Sequence, residues 1–287
     1  MGGQAFTPSS AAILLTHWLD AFEATGAQRF PVNVEELALN VGRELKWADQ
    51  IFKVEAANID SFEGGLFRVE DQGWALLYNE RLRSLGRVRF TQAHELGHYL
   101  LHRLAQEVFQ CSQADMIHWG SDQRFMESQA DEFASTLLMP MKQFRACTAG
   151  SAIDFDMLSE ASAKFGVSLT AAALRWIRST DQSAILVLAR DGFMDWSVSS
   201  DKARANGAFF RTKGRAVELP RGSIAADESI DSCRAGESVR LDTWFQHGHP
   251  DAVAREMKLV CENYGYTLSL LQLSTGDRVW EPRDRSE

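Results

Sequence analysis

FTQAHELGHYLLH, residues 90–102, places three histidines and a glutamate within thirteen residues. His94-Glu95-Leu96-Gly97-His98 has the spacing His-Glu-x-x-His. On a helix, residues four apart share a face and lie one turn apart. Two imidazoles so placed can converge on one ion at the ~2.0–2.1 Å that zinc requires. Glu95, beside the first histidine, can then reach a water on that ion, whose pKa falls towards ~7. Leu96 and residues 99–101 supply the apolar surface that would bury the helix. The competing explanation is an ordinary core helix with a chance match. The placement on a well-patterned helix after a hairpin weighs against it.

Zinc of this kind takes a third protein ligand and leaves a fourth position open. His102 lies eight residues past His94, about 12 Å further along the axis at ~1.5 Å per residue. A straight helix does not bring all three to one ion, and the spacing is not that of metzincins. His102 therefore reads as a supporting or packing histidine. His118 stands in a loop from which it could swing in. The better candidates are Glu127 and Asp131, one turn apart on the next helix, where Phe133, Ala134, Leu137 and Leu138 supply the buried face. One carboxylate can bind the metal, and the other can accept the free ring N–H of a histidine. Without the upstream motif, an acidic helix start favoured by the helix dipole would be the preferred explanation.

Working outward, residues 9–25 read as an amphipathic helix after a serine cap. A second helix follows Pro31 and Asn33 and stops at Gly42. Residues 64–80 read as a hairpin around Asp71-Gln72-Gly73. Helices follow over about 87–106 and over 125–139, the latter ended by Pro140. Residues 155–179 read as two short helices joined at Phe165-Gly166-Val167-Ser168. Residues 184–200 read as strand, Asp-Gly turn, strand. A helical run over 251–262 precedes a strand at 265–274. The fold class is α+β. Residues 1–150 form a mostly helical domain with a small sheet, 151–180 a helix-turn-helix-like segment, and 181–287 a smaller α+β domain.

The chain has 287 residues, 45% hydrophobic and 24% charged, with a net charge of −9. This is the composition of a globular protein with a sizeable core. Its acidity gives no general attraction to nucleic acid. Residues 154–181 carry four acids (Asp154, Asp156, Glu160, Asp181) and three bases (Lys164, Arg175, Arg178). That is no basic footprint, so the helical pair is expected to serve structure or docking rather than DNA binding. Cys111, Cys147, Cys233 and Cys261 form no C-x-x-C pair and read as reduced thiols. No secretory signal and no membrane-length apolar run is seen, so a cytoplasmic location is expected. His247-Gly-His249 reads as a surface loop, since residues two apart rarely face one ion.

Two longer patterns carry a resemblance. R-x-R-F-T-x-A-H-E-L-G-H-Y-L-L-H spans Arg87 to His102, and E-x-x-A-D-x-F-A-x-x-L-L-M-P runs from Glu127 to Pro140. Together they resemble the ImmA/IrrE family of metallo-endopeptidases. The likeness extends to Phe30-Pro31-Val32-Asn33 upstream and to residues 165–168 downstream, covering roughly residues 10–180. The resemblance implies a thermolysin-like zincin core, with His94, His98 and Glu127 as zinc ligands and Glu95 as general base. Asp131 falls where the family accepts Asp or Asn, which suits a hydrogen-bonding role. The same ligands accept manganese or iron. The implied substrate is a DNA-binding repressor of stress, phage or mobile-element genes, encoded nearby and cut at one bond. Family members with a C-terminal extension carry a GAF-like one, which the last hundred residues match only loosely, and a sensory or substrate-docking role would follow.

The expected mechanism pairs an extended substrate with residues 74–79 at a sheet edge. Glu95 then activates water and passes the proton to the leaving amine. Tyr99, His118 and Tyr78 are candidates for the oxyanion donor. The alternatives are a metal-binding regulatory partner, or a toxin–antitoxin component, that controls its partner by binding rather than cutting.

Overall fold

A computed structural model describes residues 6–59, 62–82, 84–111, 121–149, 152–274 and 276–280. The chain forms two compact units. The first comprises Met1–Ala149 and Ala161–Ser168, and the second Gly150–Glu160 and Leu169–Glu287.

In the first unit, α1 (Pro8–Glu23) is capped by Thr7, not by a serine, in a capping box with Ser10. Helix α2 (Val34–Glu44) is capped by Asn33 and continues past Gly42, the expected stop. Strands β1 (Ile51–Ala57), β2 (Gly64–Val69) and β3 (Gly73–Asn79) precede α3 (Leu85–His102). Then come β4 (Val108–Cys111), α4 (Ser121–Leu138) and α5 (Met141–Thr148). The β2–β3 hairpin lies where the alternation and the Asp-Gln-Gly turn predict it.

The sheet order is β1-β3-β2-β4, with β1 parallel to β3 and β4 antiparallel to β2. Strand β3 is therefore interior, which corrects the expectation that residues 74–79 form an edge. The reason is β1, a strand the sequence reading left out, which takes the side of β3 that the hairpin leaves open. Among the described residues the edge strands are β1 and β4. Helix α3 packs on β2 and β3 and against α4. Leu66, Trp74, Leu76, Leu96, Tyr99, Phe109 and Phe133 are buried in this unit, each worth ~1.5–3 kcal/mol relative to exposure.

Helix α6 (Phe155–Phe165) is divided between the units at Glu160. At its start, Arg234 donates to the Phe155 carbonyl at 2.8 Å and to Ser159 Oγ at 2.7 Å. At its end, Phe165 packs edge-on against Phe30, with centroids 4.8 Å apart. These contacts split a segment that sequence texture alone treats as one piece.

The second unit continues with α7 (Leu169–Ile177), β5 (Ser183–Arg190), β6 (Phe193–Ser199) and α8 (Asp201–Ala205). It ends with β7 (Ser232–Arg240), α9 (Leu241–Trp244), β8 (Val253–Cys261) and β9 (Tyr266–Leu273). These five strands form an antiparallel sheet in the order β6-β5-β9-β8-β7. Residues 253–261 are strand, not the helix expected over 251–262. They lie between β7 and β9, and ladder pairing on both sides overrides helix propensity. Two charged residues of the strand, Glu256 and Lys258, are buried on one face. Glu256 accepts from Ala225 N–H at 2.6 Å and Trp244 Nε1 at 2.8 Å, and Lys258 donates to the Asp227 carbonyl at 2.7 Å. Ile185, Val187, Leu271 and Trp244 form the apolar core around them.

Candidate metal centre

Helix α3 is buried over most of its length from Thr91 to His102. It lies close to α4 because the facing residues are small. A Cβ built on Gly97 would stand 3.0 Å from the Phe133 ring and 3.2 Å from Ala130 Cα. This close approach lets short carboxylate side chains of α4 reach the histidines of α3.

The structure brings His94, His98 and Glu127 together, with one ligand atom from each lying within 4.8 Å of the others. His94 Nε2 is 2.9 Å from Glu127 Oε2 and 3.0 Å from His98 Nε2. His98 Nε2 is 3.5 Å from Glu127 Oε1. Tetrahedral bonds of ~2.0–2.1 Å would hold such atoms about 3.3 Å apart, so the donor set and spacing fit a divalent ion. The softness of two imidazoles and a carboxylate suits zinc, with manganese and iron also accommodated.

The outer nitrogens are held as well. Asp131 Oδ1 lies 2.9 Å from His94 Nδ1. His102 Nδ1 lies 3.1 Å from His98 Nδ1, and its Nε2 is 3.0 Å from Gln129 Oε1. His102 thus acts behind His98, as the axial distance along α3 predicts. Gln129, Gly97 and Phe109, whose ring stacks on His98 at 4.7 Å, went unremarked in the sequence. Only the position of Gln129 two residues before Asp131 could have drawn attention to it.

Glu95 is fully buried, and neither carboxylate oxygen has a hydrogen-bond partner among the described residues. Burial pushes its pKa up to about 8, against a smaller lowering by His94. Gly64 of β2 lies over it, where an added Cβ would come 3.0 Å from Glu95 Oε1. Burial raises the Glu127 carboxyl too, but hydrogen bonds from His94 and His98 outweigh it and hold the group at about 2. Burial likewise lowers His98 to about 4 and lowers His102. Neutral imidazoles and an ionised carboxylate are the forms that bind metal.

Among the oxyanion candidates, Tyr99 is corrected. It is buried and its hydroxyl donates to the Asp49 carbonyl at 2.9 Å, so it has no proton to offer a substrate. Burial raises its pKa, in keeping with that commitment. Tyr78 is half-buried on β3, in register with Gly64 of β2. His118 lies outside the described residues. His249 is on the surface, 3.9 Å from Asp251.

The arginines of the upstream pattern are structural ties. Arg87 donates to Glu63 before β2, and Arg89 to the Gly166 carbonyl.

Residues 49–176 match the IrrE N-terminal-like domain of the peptidase M78 family. The match begins later than the resemblance over residues 10–180, leaving out α1 and α2. No curated protein matches the chain. Among solved structures, a Mycobacterium tuberculosis transcriptional regulator has a similar fold, with a TM-score of 0.54 at 13% identity, over 93% of this chain and 76% of its own. No helix among the described residues is long and apolar enough to cross a membrane. The stretch of chain that builds the candidate metal centre, residues 49–176, is therefore similar to the IrrE N-terminal-like domain of the peptidase M78 family.

Proposed function

We propose that this protein is a zinc-dependent endopeptidase that cuts a DNA-binding repressor at one site and so relieves repression of stress, phage or mobile-element genes. One observation carries the reading. A buried carboxylate, Glu95, stands without a hydrogen-bond partner beside the His94, His98 and Glu127 donors. A metal site built only for stability closes its coordination sphere and has no use for such a group.

When bound, the ion supplies Lewis-acid polarisation of the scissile carbonyl and of the attacking water. His94, His98 and Glu127 hold it. Asp131 orients His94, and His102 with Gln129 orients His98. Glu95 takes a proton from water as its oxygen attacks the carbonyl carbon. It returns that proton to the leaving amine as the C–N bond breaks. The substrate pairs with β4, an edge strand whose Phe109 stacks on His98. Strand addition there replaces the expected pairing with β3. The thermolysin-like reading is supported by this sheet edge beside the motif helix. A GAF-like reading of the second unit is supported by its strand order, which in chain order is second, first, fifth, fourth, third.

The solved structure of similar fold is named a transcriptional regulator, which favours a second reading: control of a partner by binding without cutting. Intact-mass spectrometry separates the two. The helix-turn-helix repressor encoded beside this protein is incubated with the protein and zinc, and in parallel with Glu95→Gln. Two discrete fragments that the variant does not produce support the endopeptidase. An uncut repressor that co-purifies with the protein supports control by binding.

A further inference from the structure

The second unit contains a cavity of about 580 Å³ that the proposed peptidase chemistry does not use. From its position and lining, we infer that it binds a free α-amino acid with an apolar side chain.

The cavity lies between one face of the five-stranded sheet and residues 218–231, most of which run as turns. Two buried charges of β8 hold that segment in place, through Glu256 to Ala225 N–H and Lys258 to the Asp227 carbonyl. The volume falls in the ~300–1,000 Å³ range of small-molecule sites. Ala189, Phe193, Leu219 and Val260 give the lining an apolar part.

The charged part is specific. Lys258 lines the cavity yet is only 3% exposed. Its ammonium has three N–H donors; the Asp227 carbonyl takes one of them, and the buried Glu256 carboxylate on the same strand face balances part of its charge. A buried ammonium calls for further acceptors, and a ligand carboxylate supplies them in a charge-assisted bond. A simple carboxylate would nonetheless meet repulsion. Asp191, Glu218, Glu228 and Asp231 also line the cavity, are exposed, and outnumber Arg221. A ligand carrying an ammonium next to its carboxylate satisfies both signs, and an apolar side chain fits the remaining surface. An α-amino acid has those three parts at one carbon. A purely cationic ligand would leave Lys258 facing a like charge.

The test is isothermal titration of the full chain with L-leucine, L-isoleucine and L-phenylalanine. Two half-ligands accompany them: 4-methylpentanoate, which is leucine without its amine, and isopentylamine, which is leucine without its carboxylate. Saturable binding of at least one amino acid is expected, with both half-ligands weaker by about tenfold or more. Lys258→Met should weaken binding by a similar factor. Because Lys258 also anchors residues 218–231, the exposed pair Glu218→Gln with Asp231→Asn provides a second variant that leaves the core intact, and it too should bind more weakly. Three results would each overturn the proposal. They are no saturable binding of any of the three amino acids to the folded protein, equal binding of 4-methylpentanoate, and wild-type affinity in the Glu218/Asp231 double variant.

Discussion

Asp131 Oδ1 lies 2.9 Å from Nδ1 of His94, whose other ring nitrogen is 2.9 Å from Glu127. The aspartate therefore fixes the tautomer. With a metal bound, the Nδ1 proton would go to Asp131 and leave the Nε2 lone pair for the ion, in place of the bond that Nε2 makes to Glu127 in the metal-free site. Such partners are worth about 10–100-fold in metal affinity. Asp131→Ala should weaken zinc binding by that factor in a chelator competition. Asp131→Asn, whose amide oxygen still accepts, should weaken it less. The carboxylate is 59% exposed, so neither change should alter the fold.

Glu95→Gln should separate function from stability. Cleavage should fall by about 10²–10⁴-fold, the usual contribution of a general base, while zinc content stays unchanged. In the metal-free protein the same change should stabilise the fold at alkaline pH. The folded pKa of Glu95, about 8, lies above its ordinary 4.5. Well below 4.5, folded and unfolded chains both hold the proton and the group has no effect. As pH rises towards 8 the unfolded chain releases its proton more readily, and the wild type loses stability. Thermal melts of both metal-free proteins should coincide near pH 4 and diverge by pH 8, with the variant higher. Coincident melts at pH 8 would contradict the buried, unpaired carboxylate.

Gly64 packs closely over Thr91 and Glu95. A Cβ there would meet Thr91 Cγ2 at 2.3 Å and Glu95 Oε1 at 3.0 Å. Gly64→Ala must displace one of them, and misplacing a catalytic group by about 1 Å can cost on the order of 10²-fold. Thr91→Ser removes the closer obstacle while keeping the hydroxyl. The double variant should therefore recover part of the lost rate, and a double-mutant cycle reads that coupling directly. Additive losses would show that Gly64 acts elsewhere.

Strand β4 is an edge strand among the described residues and is the proposed place of substrate pairing. The Glu107 carbonyl accepts from Arg68 N–H, and antiparallel alternation turns the backbone groups of residues 109 and 111 towards β2 as well. Val108 and Gln110 then direct their backbone groups outward. Gln110→Pro removes one outward N–H at an edge position where proline is tolerated. Repressor cleavage should fall by about tenfold or more, because main-chain bonds carry affinity in strand addition. Zinc content should not change. Unaltered cleavage would remove β4 from the mechanism.

Glu256 predicts a separate pH effect in the second unit. Burial raises its pKa, while donors from Trp244 and Ala225 pull the other way. The sign follows as for Glu95: its contribution is fully present in acid and is lost as pH rises above the ordinary glutamate value. Glu256→Gln, which removes the titration but can accept only one of the two bonds from Ala225 and Trp244, should flatten that dependence at a lower overall stability. Hydrogen–deuterium exchange of residues 253–261 would show it, as wild-type protection that falls with pH more steeply than in the variant after correction for the intrinsic exchange rate.

The grouping of His94, His98 and Glu127 as a candidate metal centre was legible because it is built from local periodicity. His94 and His98 meet through one helical turn, and Glu127 and Asp131 share a face for the same reason. The β2–β3 hairpin and the α6–α7 pair were legible from turn residues and alternation. The missed features depend on partners distant in sequence. Residues 253–261 carry charges at spacings that a helix would also accept, and only pairing with β7 and β9 makes them a strand. Residues 74–79 looked like an edge because nothing in their own sequence announces that β1 pairs beside them. Tyr99 sits next to His98 in the chain, yet its hydroxyl belongs to Asp49.

By itself, the sequence determined which residues can bind a metal, since ligand identity and one-turn spacing are covalent and helical properties. Tertiary structure alone decided what surrounds them. The small interface of Gly97 and Ala130 lets α4 reach α3, Gly64 covers Glu95, and Gln129 supports His102. It also decided which strands lie at the sheet edges among the described residues. These are packing relations between segments far apart in the chain, and neither propensity nor periodicity encodes them.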